Sequence, residues 1–323
     1  MGRPRIFIDG EAGTTGLEIR ARLRGRDDLE FISISADKRK DESERRRLLN
    51  DVDLAVLCLP DDAAREAAGL VENPSVRVLD ASSAHRTHPD WTYGFPELLP
   101  GQPERIRAAK RVTNPGCYPT GAVALIRPLI DAGPVPASFP ITVHATEGYS
   151  GGGRKMIEQF EGSGPDRITD PVRIYGLELK HKHVEEMRVH GGLERKPIFL
   201  PMVGKWLKGE LVMIGLPLWA LPTKVTGQDV HDALATRFAG QRFVRVMPLQ
   251  PPPATVLGPE ALNGTNLMEL YVFENRTEEQ ALLVARLDNL GKGASGAAAQ
   301  NIDVMLGLAG ERSYALELAA ASG

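Results

Sequence analysis

Cysteine is nearly missing from this chain: of its 323 residues only Cys58 and Cys117 carry a thiol. Two thiols cannot make a disulfide framework or a cysteine metal cluster, and their scarcity fits a reducing, cytoplasmic setting. Histidine is sparse too, seven in all, and only His181 and His183 stand close together, so a two-histidine metal site would lack its third ligand. No metal is expected. Long apolar runs are absent: nothing approaches the ~20 residues of a membrane span. "MGRPR" passes straight into "IFIDG", without the apolar region of a signal peptide. Charge of one sign is also lacking. With 39 Lys and Arg against 42 Asp and Glu, the net charge of -3 leaves no footprint for nucleic acid. Small molecules and further copies of the chain remain as partners. No internal repeat is visible, and "QPPPAT" (250–255) reads as a short rigid connection.

What is present belongs to a globular protein long enough for two cores. "RIFIDGEAGTTGLEIRARL" starts with a short apolar run, breaks at Gly10 and resumes with Leu17, Ile19 and Leu23 at helical spacing. Strand, glycine turn and helix follow one another. Glycines at Gly10, Gly13 and Gly16 let the backbone approach a pyrophosphate at a helix N-terminus, and Thr14 and Thr15 add hydroxyl donors. "LEFISIS", "DLAVLCLP" and "VRVLDAS" continue as strands, with "DDAAREAAGLV" as a helix, giving the alternation of a parallel doubly wound sheet. After the second strand, an enzyme for NAD commonly has an acid for the ribose 2′-hydroxyl. Here "SISADKRK" offers Ser35, Lys38 and Arg39, which suit a 2′-phosphate, although Asp37 leaves NAD open. Glu44 to Arg47 read as a solvated charged loop. Cys58, inside an apolar strand, reads as a small buried hydrophobe.

Cys117 is placed differently. In "VTNPGCYPTG", Pro115 and Gly116 are turn residues, Pro119 suits a first helical turn, and "AVALIRPLI" continues as the helix. A cysteine at a helix N-terminus meets unpaired N–H groups and a favourable dipole, so a stabilised thiolate nucleophile is expected. Beyond it, "ITVHATEGYSGGGRKM", "ELVMIGLPLWAL", "FVRVMPL", "NLMELYVFEN" and "QALLVARLDN" are strand-like, and "GQDVHDALATRFAG" is a helix, which predicts an α+β domain. "KHKHVEEM" supplies His181, His183 and Glu186, an imidazole for the thiol's proton and a carboxylate to orient it. Ser82, Ser83 and Arg86 follow a strand end, and Arg154 stands beside the glycine run of "EGYSGGGRK"; an arginine fork suits carboxylate or phosphate.

"GEAGTTG", "DASSAHR", "YGFPEL", "NPGCYPTG", "GYSGGGRK", "HKHVEEM" and "DNLGKGASGAAAQNIDVMLG" together resemble, in order and over nearly the whole chain, the shorter lineage of N-acetyl-γ-glutamyl-phosphate reductases of arginine biosynthesis. Aspartate-semialdehyde dehydrogenases share the glycine turn and a cysteine but typically set the latter in an N-C-T context. The resemblance implies a semialdehyde-dehydrogenase-like fold: a Rossmann domain over 1–116 completed by a C-terminal helix (294–323), and a catalytic and dimerising α+β domain over 117–293. It implies NADPH as cofactor, a dimer or tetramer, and a Cys117 thioester formed from the acyl phosphate and reduced to the semialdehyde. His183 is the expected base, His181 the alternative, with Glu186 in support. Pro60 and Asn289 join the cofactor-binding residues, Ser150 and Gly151 the substrate-binding ones. Related reductases of lysine or aspartate pathways share this chemistry. A cysteine amidase or acyltransferase would need Cys117 and a histidine yet have no use for the glycine turn, and a non-catalytic dinucleotide regulator would have no use for Cys117.

Overall fold

The computed structural model of the protein describes residues 2–250 and 256–308; nearly all of "QPPPAT" and the end of the expected C-terminal helix lie outside the described residues. The chain divides into two compact units: Met1–Pro96 with Gly101–Pro115 and Ala294 onward, and Glu97–Pro100 with Gly116–Gly293.

The first unit runs β1 (Arg5–Asp9), α1 (Thr14–Arg22), β2 (Glu30–Ile32), α2 (Glu42–Asn50), β3 (Leu54–Leu57), α3 (Asp61–Gly69), β4 (Arg77–Asp80), β5 (Thr92–Tyr93), α4 (Gln102–Ala108) and β6 (Arg111–Thr113). Its six strands lie in the order β2-β1-β3-β4-β6-β5, every pair parallel. Ile6, Phe7 and Ile8 of β1 and all four residues of β3 are buried, the continuous apolar runs of strands covered on both faces. The order turns at β1, with β2 to one side and β3 to the other, and the carboxyl ends there form the crevice at which open sheets bind ligands.

One expectation fails in this unit. Glu44 to Arg47 are not a loop but the middle of α2. Asp41 caps that helix by accepting the Glu44 N–H at 3.1 Å, Arg47 pairs with Glu44 three residues back, and only Leu48 and Leu49 are buried. Arg45 crosses to the buried Asp9 of β1 at 2.9 Å. A helix with so narrow an apolar stripe leaves almost no periodic signal.

The second unit runs α5 (Cys117–Ala132), β7 (Thr142–Gly148), α6 (Gly153–Glu161), β8 (Val172–Ile174), α7 (His183–Gly191), β9 (Ile198–Gly204), β10 (Glu210–Pro217), α8 (Gly227–Arg237), β11 (Val244–Val246), β12 (Met268–Asn275) and β13 (Gln280–Leu287). Seven strands form a mixed sheet in the order β11-β12-β13-β10-β7-β9-β8. The strand-like segments contain strands as expected, but "ITVHATEGYSGGGRKM" leaves the sheet after Gly148 and runs through a 3-10 turn into α6, which was not anticipated; the helix expected near Glu186 is α7, and it begins earlier, at His183. Helix α5 lies on this sheet at close range because of Gly121: a Cβ there would stand 2.7 Å from Val212 Cγ2 and 3.2 Å from Ala285 Cβ. Cys117 and Gly121, four residues apart, share a helix face, and that face is pressed onto β10 and β13. After β13 a single π-helical turn (Gly291–Ser295) leads to α9 (Gly296–Leu306), which packs on α1 and α4 of the first unit. Asp303 of α9 binds Arg26 at 2.8 Å.

Candidate active site

The dinucleotide turn forms as its glycines require. Gly10 has φ +88°, and a Cβ on it would lie 2.2 Å from the Cys58 carbonyl oxygen at the end of β3. A Cβ on Gly16 would lie 2.6 Å from the Gly10 oxygen. Gly13 caps α1, whose first turn, with Thr14 and Thr15, holds no acidic residue and no side-chain cap bond. That end of the helix is ready for an anion. Ser35, Lys38 and Arg39 lie in and around an exposed 3-10 turn (Ala36–Lys38) after β2, and Pro60 caps α3 after β3. These residues fit a phosphorylated dinucleotide.

At the end of β4, Ser82 and Ser83 are held by carboxylates: Ser82 Oγ donates to Asp80 at 2.9 Å and Ser83 Oγ to Asp61 at 2.7 Å. His85 Nδ1 stands 2.6 Å from the same Asp80, and its ring stacks on Trp91. Arg86 donates through Nε to the Asn114 carbonyl at 3.0 Å, bracing the segment that leads to Cys117. Arg154 lies on α6 with its side chain 82% exposed, paired with Glu158 at 2.8 Å. Gly151 follows Ser150 in a 3-10 turn (Tyr149–Gly152). Asn289 accepts the Gly209 N–H at 2.9 Å and donates to Ser150 Oγ at 3.0 Å, which ties the end of β13 to the glycine run.

Cys117 is the first residue of α5, with Gly116 as its cap, and the thiol is partly exposed. Its immediate neighbours were not foreseen. Sγ donates to Glu147 Oε2 at 3.4 Å, and ligand atoms of Cys117, Glu147 and Glu210 all lie within 4.8 Å of one another. Glu147 ends β7, Glu210 begins β10, and the two face each other across the antiparallel pair. They are 3% and 0% exposed. Burial, with both carboxylates close by, pushes the Cys117 thiol well above its ordinary range. This runs against the expected dipole-stabilised thiolate: burial first, and the two acids after it, oppose the helix N-terminus. Burial lifts Glu147 to about 7, against hydrogen bonds from Tyr118, Cys117 and Tyr175 that favour its charged form. Burial, then Glu147 and Asp288, raises Glu210 well above the usual carboxyl range.

The histidines gather around Tyr118, the residue after Cys117. The rings of His183 and His181 lie 6.0 Å and 6.4 Å from the Tyr118 ring, and 4.7 Å from each other. His183 opens α7. Glu186 does not simply orient an imidazole: its Oε1 accepts the Gly116 N–H at 2.8 Å and so fixes the turn that carries Cys117. Gly293 completes the surroundings, since a Cβ on it would meet Cys117 Cβ at 3.0 Å. Beside it Lys292 is buried against Glu97 at 2.8 Å. The sequence did hold a signal for the two acids. Val143, Ala145 and Glu147, like Glu210, Val212 and Ile214, keep one phase along their strands, so each glutamate occupies a core-facing position.

A parallel nucleotide-type sheet joined to a mixed sheet bearing a helix-capped cysteine defines a class, and two family matches agree on it. The semialdehyde dehydrogenase NAD binding domain matches residues 41–109, and the semialdehyde dehydrogenase dimerisation domain matches residues 117–289. Aspartate semialdehyde dehydrogenase II of Vibrio cholerae, solved with ASA, has the same fold (TM-score 0.72 over 95% of this chain and 99% of that one) at 14% identity. N-acetyl-gamma-glutamyl-phosphate reductase 2 of a Nostoc species is 54% identical over 316 residues, covering 95% of this chain and 98% of the relative. The Burkholderia cenocepacia reductase of that name is 54% identical over 308 residues, with the same coverage. The chain belongs to the N-acetyl-γ-glutamyl-phosphate reductase family. Among the described residues no helix is long and apolar enough to cross a membrane.

Proposed function

We propose that the protein reduces N-acetyl-γ-glutamyl phosphate to the γ-semialdehyde and phosphate with NADPH, in arginine biosynthesis, through a thioester on Cys117. The observation that carries this is the partly exposed thiol at the first position of α5, in a chain whose other unit presents a glycine turn suited to a dinucleotide. Cys117 attacks the acyl carbonyl and phosphate leaves. Bound NADPH supplies the hydride that reduces the thioester, whose carbonyl accepts hydride far more readily than a carboxylate. Collapse of the thiohemiacetal frees the aldehyde.

His183, with His181 as the alternative, serves the carbonyl oxygen as its acid–base group. Glu186 holds the Cys117 turn through Gly116. Arg86 and Arg154 are the cationic partners of the anionic groups on the substrate, Arg154 by leaving Glu158 when substrate arrives. Ser82 and Ser83 of the first unit, and Ser150 and Gly151 of the second, are the further substrate-binding residues of this reading, and Asn289 keeps Ser150 in place. Gly10, Gly13, Thr14, Thr15, Gly16 and Pro60 hold the dinucleotide, with Ser35, Lys38 and Arg39 for its 2′-phosphate. Assembly into a dimer or tetramer and a cytoplasmic location belong to the same reading. The assay is phosphate-dependent reduction of NADP by N-acetylglutamate semialdehyde. Activity with aspartate semialdehyde in its place would move the protein to the neighbouring pathway.

A further inference from the structure

We propose that Glu147 and Glu210 form a buried carboxyl pair that handles the Cys117 proton, Glu147 as the base that takes it and Glu210 as the protonated partner that positions and tunes Glu147. The proposal rests on Cys117 being the nucleophile. It moves the thiol's proton from the histidine segment, where the sequence placed it, to a carboxyl that lies against the sulfur.

The geometry points this way from four directions. Glu147 and Glu210 are register partners on adjacent antiparallel strands, where two like charges side by side are unfavourable, and here both are buried. The pair therefore carries one charge and shares a proton. The thiol donates to Glu147 at 3.4 Å, and an oxygen of Glu210 lies within 4.8 Å of both. Both oxygens of Glu210 are buried, and by distance and angle neither has a hydrogen-bond partner among the described residues. Finally, Gly121 brings the helix down so far that Cys117 is delivered onto the two acids.

Titratable groups converge on the pair from every element around it: Cys117 and Tyr118 from α5, Tyr175 beyond β8, and Asp288 after β13. The hydroxyls of Tyr118 and Tyr175 favour a charged Glu147, whereas Asp288 opposes a charged Glu210. Glu147 is thus the member that ionises, close to neutral pH, and Glu210 the one that keeps its proton.

The step balances. The S–H bond breaks and an O–H bond forms on Glu147 Oε2. The thiolate forms an S–C bond to the acyl carbon, the C–O bond to phosphate breaks, and phosphate departs with that electron pair. It takes the proton from Glu147, so acyl phosphate and thiol become thioester and hydrogen phosphate. After hydride reduction the freed thiolate regains a proton from solvent through the same carboxyl.

The test compares two rates in Glu147→Gln: acyl-enzyme formation by rapid quench, and alkylation of Cys117 by iodoacetamide. Removing the carboxylate beside the sulfur makes the thiol easier to ionise, so alkylation at pH 7 should rise by roughly 10-fold. Removing the base should slow acylation by about 100-fold or more. Opposite movements are the signature. Acylation at the wild-type rate overturns the proposal, and so does a parallel fall in both rates, which would mean that Glu147 only supports the fold. Glu210→Gln is the second arm, and decides the matter if Glu147→Gln does not fold. Glu210→Gln replaces a protonated carboxyl with a neutral amide of the same shape, so acylation should persist with its midpoint close to the wild-type value near 7. A midpoint well below that would mean that Glu210 is charged beside Glu147, and overturns the assignment. An active Cys117→Ser enzyme, by contrast, would sink the thioester reading itself, so the two failures are distinguishable.

Discussion

Gly121→Ala should destabilise the protein and cripple it, although alanine is the better helix former. The added methyl would sit 2.7 Å from Val212 Cγ2, 3.0 Å from Val212 Cβ and 3.2 Å from Ala285 Cβ. Ordinary contact begins near ~3.5 Å, so α5 must rise from the sheet by roughly 0.8 Å or Val212, itself fully buried, must move. Overpacking of this kind costs about 1–3 kcal/mol. The helix-propensity gain returns at most about 1 kcal/mol. The expected net loss is up to roughly 2 kcal/mol, or up to about 8 °C in Tm for a unit of this size. Because Cys117 shares the face of Gly121, the same displacement draws the thiol from Glu147, and kcat should fall by 10-fold or more. Gly69→Ala is the control: Gly69 ends α3, exposed, with nothing within 4 Å of its would-be Cβ, so that change should be neutral or stabilising. Thermal melts and turnover of both variants give the comparison. A Gly121→Ala protein as stable and active as wild type would refute the claim that close helix–sheet approach builds the site.

Cys117→Ser should lose turnover while keeping its affinity for NADP by fluorescence titration; Cys58→Ser should change stability alone. Charge reversal at Lys38 and Arg39 should raise the Michaelis constant for NADPH far above any effect on NADH, each charge-assisted bond being worth about 1.5–3 kcal/mol; an unchanged preference returns the turn to a solvated loop. His183→Asn should slow hydride transfer by roughly 100- to 10,000-fold, measured in single turnover, with less effect on acylation; if His181→Asn does this instead, the role passes to His181. Folded Glu147 binds protons that the unfolded chain releases, so its contribution to stability is present below the ordinary carboxyl range and is lost as pH rises to about 7. Urea melts of Glu147→Gln should therefore show a shallower fall between pH 5 and 8, and an identical slope would contradict the burial argument.

The sequence made some of this visible and hid the rest for definite reasons. Gly10, Gly13 and Gly16 announce the turn because glycine is the residue whose backbone such a turn demands, and β1 and β3 beside it have apolar centres. The position of Cys117 was legible from Pro115, Gly116 and Pro119. Its ionisation state was not. The helix dipole is a local property, whereas the opposing acids come from strands ~30 and ~90 residues away in sequence, brought together by strand register. Helix α2 was hidden by its charges. Helix α7 was expected to start near Glu186, after an extended histidine pair, whereas it begins at His183 itself. Arg154 read as an anion-binding residue in a glycine nest, and its partner Glu158 became visible only once the segment was seen to be helical.

The central claim is a covalent acyl group on Cys117. Incubating the protein with N-acetylglutamate semialdehyde and NADP in the absence of phosphate should stop the reverse reaction at the thioester. Mass spectrometry of the acid-quenched protein should then find one N-acetylglutamyl group per chain, on the peptide that contains Cys117. Under the same conditions no acyl group, or one on the Cys58 peptide, would contradict the account.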